Sequence, residues 1–107
     1  MGSTVGGRMR QGTVEGTGAS ISIDLDFTPS AVYIMNIDDL CTMWWNASMA
    51  DASGLVQVTA GTITYVVALG ITPVRSTNFE TDLPGFIIGA DLDLNVTAQT
   101  IHWCAWE

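Results

Sequence analysis

The chain has 107 residues, 48% of them hydrophobic and 13% charged, which is enough apolar material for one domain with a single core. Eleven acidic residues against three arginines and no lysine give a formal net charge of −8. Such a surface repels the phosphates of nucleic acids and the headgroups of anionic membranes. Composition therefore argues against nucleic acid and membrane as partners.

Residues 1–10 predict a flexible N-terminal arm ahead of one β-domain that spans residues 11–107. The first seven residues are small, polar and rich in glycine, a composition typical of mobile termini. Arg8 and Arg10 form the only cluster of positive charge on an acidic chain. We expect these two side chains to bind carboxylates of a partner, whereas a frayed end without a binding role is the alternative.

Two strands are predicted between residues 19 and 37. Residues 19–27 alternate apolar and polar side chains, the pattern of a strand with one face in the core and one in water. The run from 31 to 37 is almost continuously apolar, which is typical of a covered, central strand. The residues that we expect in the core, including one from the end of the chain, are Ile21, Ile23, Leu25, Phe27, Ile34 and Trp103.

Residues 41–46 predict a third strand, in which Trp44 and Trp45 are neighbours. Successive side chains of a strand point to opposite faces. One indole is therefore expected in the core and the other on the surface or in an interface.

Strands are also expected at residues 55–60 and 62–68, with Gly70 ending the second, before a long polar segment over 72–85. No stretch repeats with the period of an amphipathic helix. These patterns predict an all-β fold, either a compact antiparallel β-sandwich or a small jelly-roll-like barrel.

The last predicted strand, residues 101–106, is apolar on both faces. Ile101, Trp103 and Ala105 share one face because side chains alternate along a strand. The other face carries His102, Cys104 and Trp106. We expect one face to pack on the core and the other on a protein partner.

Few side chains suit catalysis. His102 is the only histidine, and no motif places a nucleophile beside it. Asp24 and Asp26 share a strand face at a spacing that superficially suits a glycosidase, but nothing nearby predicts a cleft. We expect no enzymatic activity and no cofactor.

The segment Asp91-x-Asp93-x-Asn95 resembles the start of a calcium-binding loop. Val96 stands where the loop needs glycine for its sharp turn, and His102 stands where it needs a bidentate glutamate. An EF-hand is therefore excluded and no metal is expected, although calcium or sugar binding by the acidic loops stays open. Cys41 and Cys104 are expected as free thiols, because a core of this size needs no disulfide.

Several short motifs follow one another along residues 12–106. They are Phe27-Thr28-Pro29, Val32 and Ile34 before Asn36, Trp44-Trp45, Ala60-Gly61-Thr62, Gly70-Ile71, Gly85-Phe86-x-Ile88-Gly89, Asn95-Val96 and Ile101-His102-Trp103-x-Ala105. In this order they resemble small β-sandwich virion proteins of tailed bacteriophages. The resemblance implies a virion structural protein assembled in the host cytoplasm, such as a capsid decoration (cement) protein, and implies no catalytic residues.

The expected partners are further copies of the chain, as a trimer, and the major capsid protein or another virion protein. The side chains expected at the contact between copies are Trp44, Trp45, His102 and Trp106. Two alternatives remain: a tail or fibre component that binds a host receptor, and a carbohydrate-binding module in which Trp44 or Trp45 stacks on sugar.

Overall fold

The computed structural model describes residues 8–75 and 83–107, and these residues form eight strands and no helix. The strands are β1 (Met9–Glu15), β2 (Ile21–Asp24), β3 (Ala31–Asn36), β4 (Cys41–Asn46), β5 (Ser53–Gln57), β6 (Ile63–Val74), β7 (Gly85–Ile88) and β8 (Thr100–Trp106). They pair in the order β1-β8-β3-β4-β5-β6-β7-β2, antiparallel throughout, in one sheet that curls into a half-barrel. The all-β, antiparallel prediction is confirmed.

Strands β3, β4 and β8 lie where the sequence predicts them, and β2 is shorter than predicted. The chain leaves the β2 ladder after Asp24, yet Leu25 and Phe27 still enter the core. The backbone N–H of Leu25 donates instead to the carbonyl of Pro84. The alternation of buried and exposed side chains therefore extends to Phe27, beyond the last paired residue of β2.

Strand β6 continues through Gly70, so the predicted end of the strand at this glycine is wrong. Val66 pairs with Gly54 and Ile71 pairs with Ser53, so four residues of β6 bulge out between adjacent pairs of β5. A Cβ atom at position 70 would overlap the carbonyl oxygen of Ser53. Gly70 thus permits close approach of two chains within the sheet and does not end the strand.

Strand β1, which no sequence pattern predicts, pairs with β8 over its full length, from Met9 opposite Trp106 to Glu15 opposite Thr100. The expected boundary of the arm at Arg10 therefore falls inside a strand. The carbonyl of Arg8 also accepts a hydrogen bond from the N–H of Glu107. The rest of the expected arm, residues 1–7, lies outside the described residues.

One hydrophobic core fills the inner face of the curled sheet. Of the predicted core residues, Leu25, Phe27 and Ile34 are buried, while Ile21, Ile23 and Trp103 are partly buried and pack against the core. The largest fully buried side chain is Trp45, whose indole N–H donates to the carbonyl of Ala50 over 3.1 Å.

Trp103 closes the core beneath β1. Its ring meets Phe86 edge-on, with the centroids 5.6 Å apart. A Cβ atom at Gly12 would come within 2.8 Å of the Trp103 ring. Gly12 therefore leaves the space that lets Trp103 lie against the inner face of β1.

Two buried asparagines fasten the loops at one end of the half-barrel. Asn95, only 2% exposed, accepts hydrogen bonds from the N–H groups of Thr17 and Gly18 and donates to the carbonyls of Ala19 and Gly89. These four bonds tie the β1–β2 and β7–β8 loops together.

Asn36 acts in the same way one strand further on. Its amide donates to the carbonyl of Leu94 and to the side chain of Gln99, and its oxygen accepts from the N–H groups of Asp38 and Asp39. Each asparagine also donates one buried hydrogen bond to a backbone carbonyl, Asn95 to that of Gly89 and Asn36 to that of Leu94, and so satisfies an acceptor away from water.

We predict that Asn95→Ala lowers the free energy of unfolding by about 3 kcal/mol, because the buried carbonyl of Gly89 and the partly buried N–H groups of Thr17 and Gly18 lose their partners. Asn46→Ala is the matched control, since its oxygen accepts from the exposed N–H and hydroxyl of Ser48, which can turn to water. Urea unfolding followed by circular dichroism measures both changes. Equal losses for the two variants would contradict the structural role of Asn95.

Candidate docking surface

The outer face of the sheet consists of the side chains that point away from the core on β1, β8, β3, β4, β5 and β6. Strand pairing arranges most of them in three rows that run across the strands, and the next pair on the same face, Glu15 and Thr100, lies at the edge of this surface. The first row is Met9, Trp106, Ala31 and Asn46. The middle row is Gln11, Cys104, Tyr33, Trp44, Leu55 and Tyr65. The third row is Thr13, His102, Met35, Thr42, Gln57 and Ile63.

An aromatic cluster of Tyr33, Trp44 and Trp106 lies at the centre of this outer face. The Trp44 centroid is 6.3 Å from that of Tyr33 and 6.1 Å from that of Trp106. Trp44 and Trp106 keep 36% and 37% of their surface exposed although they pack on each other. The cluster continues into further exposed apolar side chains, namely Met9, Leu55, Ile63 and Tyr65.

No Asp, Glu, Lys or Arg occurs in the three rows, although the chain carries a net charge of −8. Carboxylates instead collect at one end of the half-barrel. This acidic end is formed by Glu15, Asp38, Asp39, Asp91 and Asp93, in or beside the loops after β1, β3 and β7. In the described part of the chain, no ion pair involves any of these five.

The opposite end holds all three arginines, and we call it the paired end. Arg8 binds Glu107 and Asp26 at 2.6 and 3.2 Å, and Arg10 binds Asp26 at 2.9 Å. The guanidinium of Arg8 also lies over the ring of Phe27, 5.3 Å from its centroid. Arg8 holds the pKa of the Glu107 carboxyl below its ordinary value.

The third arginine of the paired end, Arg75, binds both carboxylate oxygens of Asp51. This contact lowers the pKa of the Asp51 carboxyl. All of these groups are exposed, so the ion pairs neutralise charge locally but add little stability.

The structure places the predicted site residues in three different settings. Trp44, His102 and Trp106 lie on the outer face, as the prediction of a contact surface requires. Trp45 does not, because it is fully buried in the core of its own chain and has no surface to offer a partner. Arg8 and Arg10, expected to bind a partner's carboxylates, bind those of their own chain.

The structure gives different roles to the acidic residues singled out from the sequence. Asp26 is occupied by two arginines, and Asp24 has no such contact. The Asp91 carboxylate accepts from the N–H groups of Asp93 and Leu94, which stabilises the turn. Among residues 8–75 and 83–107, no three His, Cys, Asp or Glu side chains lie close enough to hold a metal ion.

Sequence reasoning missed Tyr33, Leu55 and Tyr65, which continue the outer face over β3, β5 and β6. The apolar run over residues 31–37 did indicate a strand covered on both sides, and that signal could have pointed to Tyr33 and Met35. The pairing of Leu55 with Tyr65 depends on the register between β5 and β6. A bulge sets that register, and the apolar–polar pattern of the sequence does not reveal it.

Comparison with known proteins finds no matching family model, no matching curated protein and no matching solved structure. The described residues contain no helix with the length and apolarity needed to span a bilayer. The function is therefore inferred from the side chains of the outer face.

We predict that one thiol of the folded protein reacts with iodoacetamide and the other does not. Burial, helped by the carboxylates of Asp91, Asp93 and Asp39, raises the pKa of the Cys41 thiol to about 11. Its reactive thiolate is then roughly 0.1% populated at pH 8. Cys104 lies half-exposed on the outer face and is free.

Intact-mass spectrometry of dilute folded protein should show one adduct, on Cys104, and two after denaturation without reductant. Labelling of Cys41 in the folded state, or a thiol still blocked after denaturation, would contradict this account.

Proposed function

We propose that this chain is a non-enzymatic structural protein that binds copies of itself, and a larger assembly, through the outer face of its half-barrel. One observation supports this most directly: a partly aromatic surface without formal charge crosses six strands of a strongly acidic protein. Soluble monomers rarely expose large contiguous apolar patches, and those that do use them as binding sites.

The energetics favour a protein as the occupant of this outer face. Trp and Tyr side chains supply much of the binding energy in protein interfaces, and charged residues are depleted at interface centres. Copies that carry −8 each repel one another, which opposes their association. Apolar contact must outweigh that repulsion, so added salt should strengthen association by screening it.

The setting that we propose is the virion of a tailed bacteriophage, with the major capsid protein or another virion protein as the second partner. The support is the resemblance of the ordered motifs described above. The two free thiols are compatible with assembly in a reducing host cytoplasm. A capsid decoration protein is the role that fits best, and a tail or fibre component is the alternative within the same setting.

A carbohydrate-binding module is the second candidate function. Tyr33 and Trp44 line a groove of about 150 Å³ on the outer face, together with hydrogen-bonding side chains of Thr42 and Gln57. Such a groove can hold a sugar ring against an aromatic face. However, Trp44 is tilted by 51° to Tyr33 and by 53° to Trp106, so the rings share no plane on which a flat glycan could stack.

We predict that Trp44→Ser and Trp106→Ser each weaken self-association at least tenfold. Both substitutions remove aromatic area from the centre of the outer face, and neither indole N–H has a hydrogen bond to lose in the described structure. Light scattering over a concentration series at low and high salt measures the effect. Leu92→Ser is the matched control, because Leu92 is 87% exposed in the β7–β8 loop, away from the outer face.

The wild type and Leu92→Ser should associate alike, and more strongly at high salt. A wild type that stays monomeric at high concentration and high salt would overturn self-association. Equal association of all four proteins would move the contact to another surface. Isothermal titration with oligosaccharides that bind wild type but not Trp44→Ser would favour the second candidate.

A further inference from the structure

We propose that the exposed edge of β6 binds an extended apolar segment of a different protein, flanked by a basic residue, as an added strand of the sheet. This β6 edge consists of residues 63–69. The inference goes beyond the proposed function, because it assigns a second site with another mode of binding and does not need the outer face.

The first part of β6 has a neighbouring strand on one side only. Strand β5 pairs with residues 63–66, and β7 pairs on the other side with residues 71–74. Beyond β7, the N–H of Gly89 donates to the carbonyl of Gly70. Within the described chain, no backbone group pairs with residues 63–69 on the β7 side. Alternate N–H and C=O groups of a strand point to each side, so this edge offers the donors and acceptors that an added strand satisfies.

The side chains of the β6 edge are apolar and exposed. Ile63, Tyr65, Val67 and Leu69 expose 58%, 50%, 72% and 52% of their surface. Leu69 also has a φ of 62°, in the left-handed region that favours glycine. An exposed apolar side chain is thus present where the backbone would prefer none. These side chains select an apolar strand as the occupant.

The sheet has two further edges, along β1 and β2, and both carry charged side chains. Arg10 and Glu15 lie on β1, and Asp24 lies on β2. Charged residues and prolines at an edge discourage pairing with other strands. Residues 63–69 contain neither. The β6 edge therefore lacks the protection that the other two edges have.

Charge selects a different protein over a second copy. The β6 edge begins beside the acidic end, where Asp39 and Asp93 line a groove of about 260 Å³ together with residues 58–60. These carboxylates complement a Lys or Arg next to the bound apolar segment. This chain has no lysine, and its three arginines bind its own carboxylates. A second copy therefore has no basic residue to offer.

The shape of the edge selects a flexible segment. Residues 67–70 bulge out between adjacent pairs of β5, and a bulged strand bends. The rigid edge of a second folded sheet could pair only with residues 63–66, before the bend. A flexible segment can follow the bend to Leu69.

Selection from a display library of random peptides tests this site. The immobilised folded protein should enrich sequences that alternate apolar residues and carry Lys or Arg at one end. A selected peptide is then synthesised with methyl groups on alternate backbone nitrogens, in two series that remove the donors from opposite sides of the bound strand. One series should abolish binding and the other should preserve it, because only one side of the peptide faces β6.

Variants of the protein locate the bound peptide. Val67→Lys should weaken binding by about tenfold, because it places a charge on the edge that repels a basic peptide. Leu40→Lys is the matched control, since it adds the same charge at a position that is 63% exposed in the β3–β4 turn. Asp93→Asn should weaken binding roughly two- to fivefold through loss of an exposed ion pair. Trp44→Ser should leave the affinity unchanged, and circular dichroism checks that every variant folds.

The contrary results separate this site from the outer face. A library without enriched peptides, or binding that is equally sensitive to both methylated series, would overturn the added strand and leave the proposed function standing. Binding that Trp44→Ser abolishes and Val67→Lys preserves would assign the peptide to the outer face. Equal losses for Val67→Lys and Leu40→Lys would contradict a contact at the edge. Self-association that Val67→Lys abolishes and Trp44→Ser preserves would make a second copy the occupant and overturn the choice of a different protein.

Discussion

The alternation of side chains along β3, β4 and β8 is the constraint on which the rest of this structure depends. A single curled sheet encloses one core, so only one of its two faces is covered. Trp45 and Ile34 fill the inner face and are fully buried. The neighbouring Trp44 and Tyr33 must then point outward, and no element among residues 8–75 and 83–107 packs over them. The apolar outer face is thus a direct consequence of strands that carry large apolar residues on both sides.

The same arrangement explains where the charges lie. The three rows of the outer face contain no carboxylate, and Glu15 lies beyond them at the acidic end. Carboxylates are found instead in or beside the loops at the ends of the strands, where their side chains are in contact with water. At the paired end, Arg8 joins the two edges of the sheet by binding Glu107 after β8 and Asp26 after β2. The acidic end has no such compensation in the described structure, and this asymmetry gives the molecule a direction along its strands.

The sequence predicts the parts of this fold in which local pattern and tertiary environment agree. Residues 41–46 form β4 as predicted, and alternation correctly separates the faces of the last strand. Alternation requires that Trp44 and Trp45 face opposite ways, but only the pairing of β4 with β3 decides that Trp45 enters the core. The sequence of β1 shows no apolar alternation, because its conformation comes from β8. The buried roles of Asn36 and Asn95 depend on which loops meet, and no local signal carries that information.

A dilution series followed by methyl and amide NMR tests the central claim most directly, because it maps the contact without altering any residue. The account predicts concentration-dependent shifts at Met9, Met35 and Leu55 and in the indole N–H signals of Trp44 and Trp106. Leu92 in the β7–β8 loop and Leu40 in the β3–β4 turn, both exposed away from the outer face, should stay unchanged. Shifts confined to the loops, or spectra identical from micromolar to millimolar concentration, would contradict the assignment of the outer face as a surface for self-association.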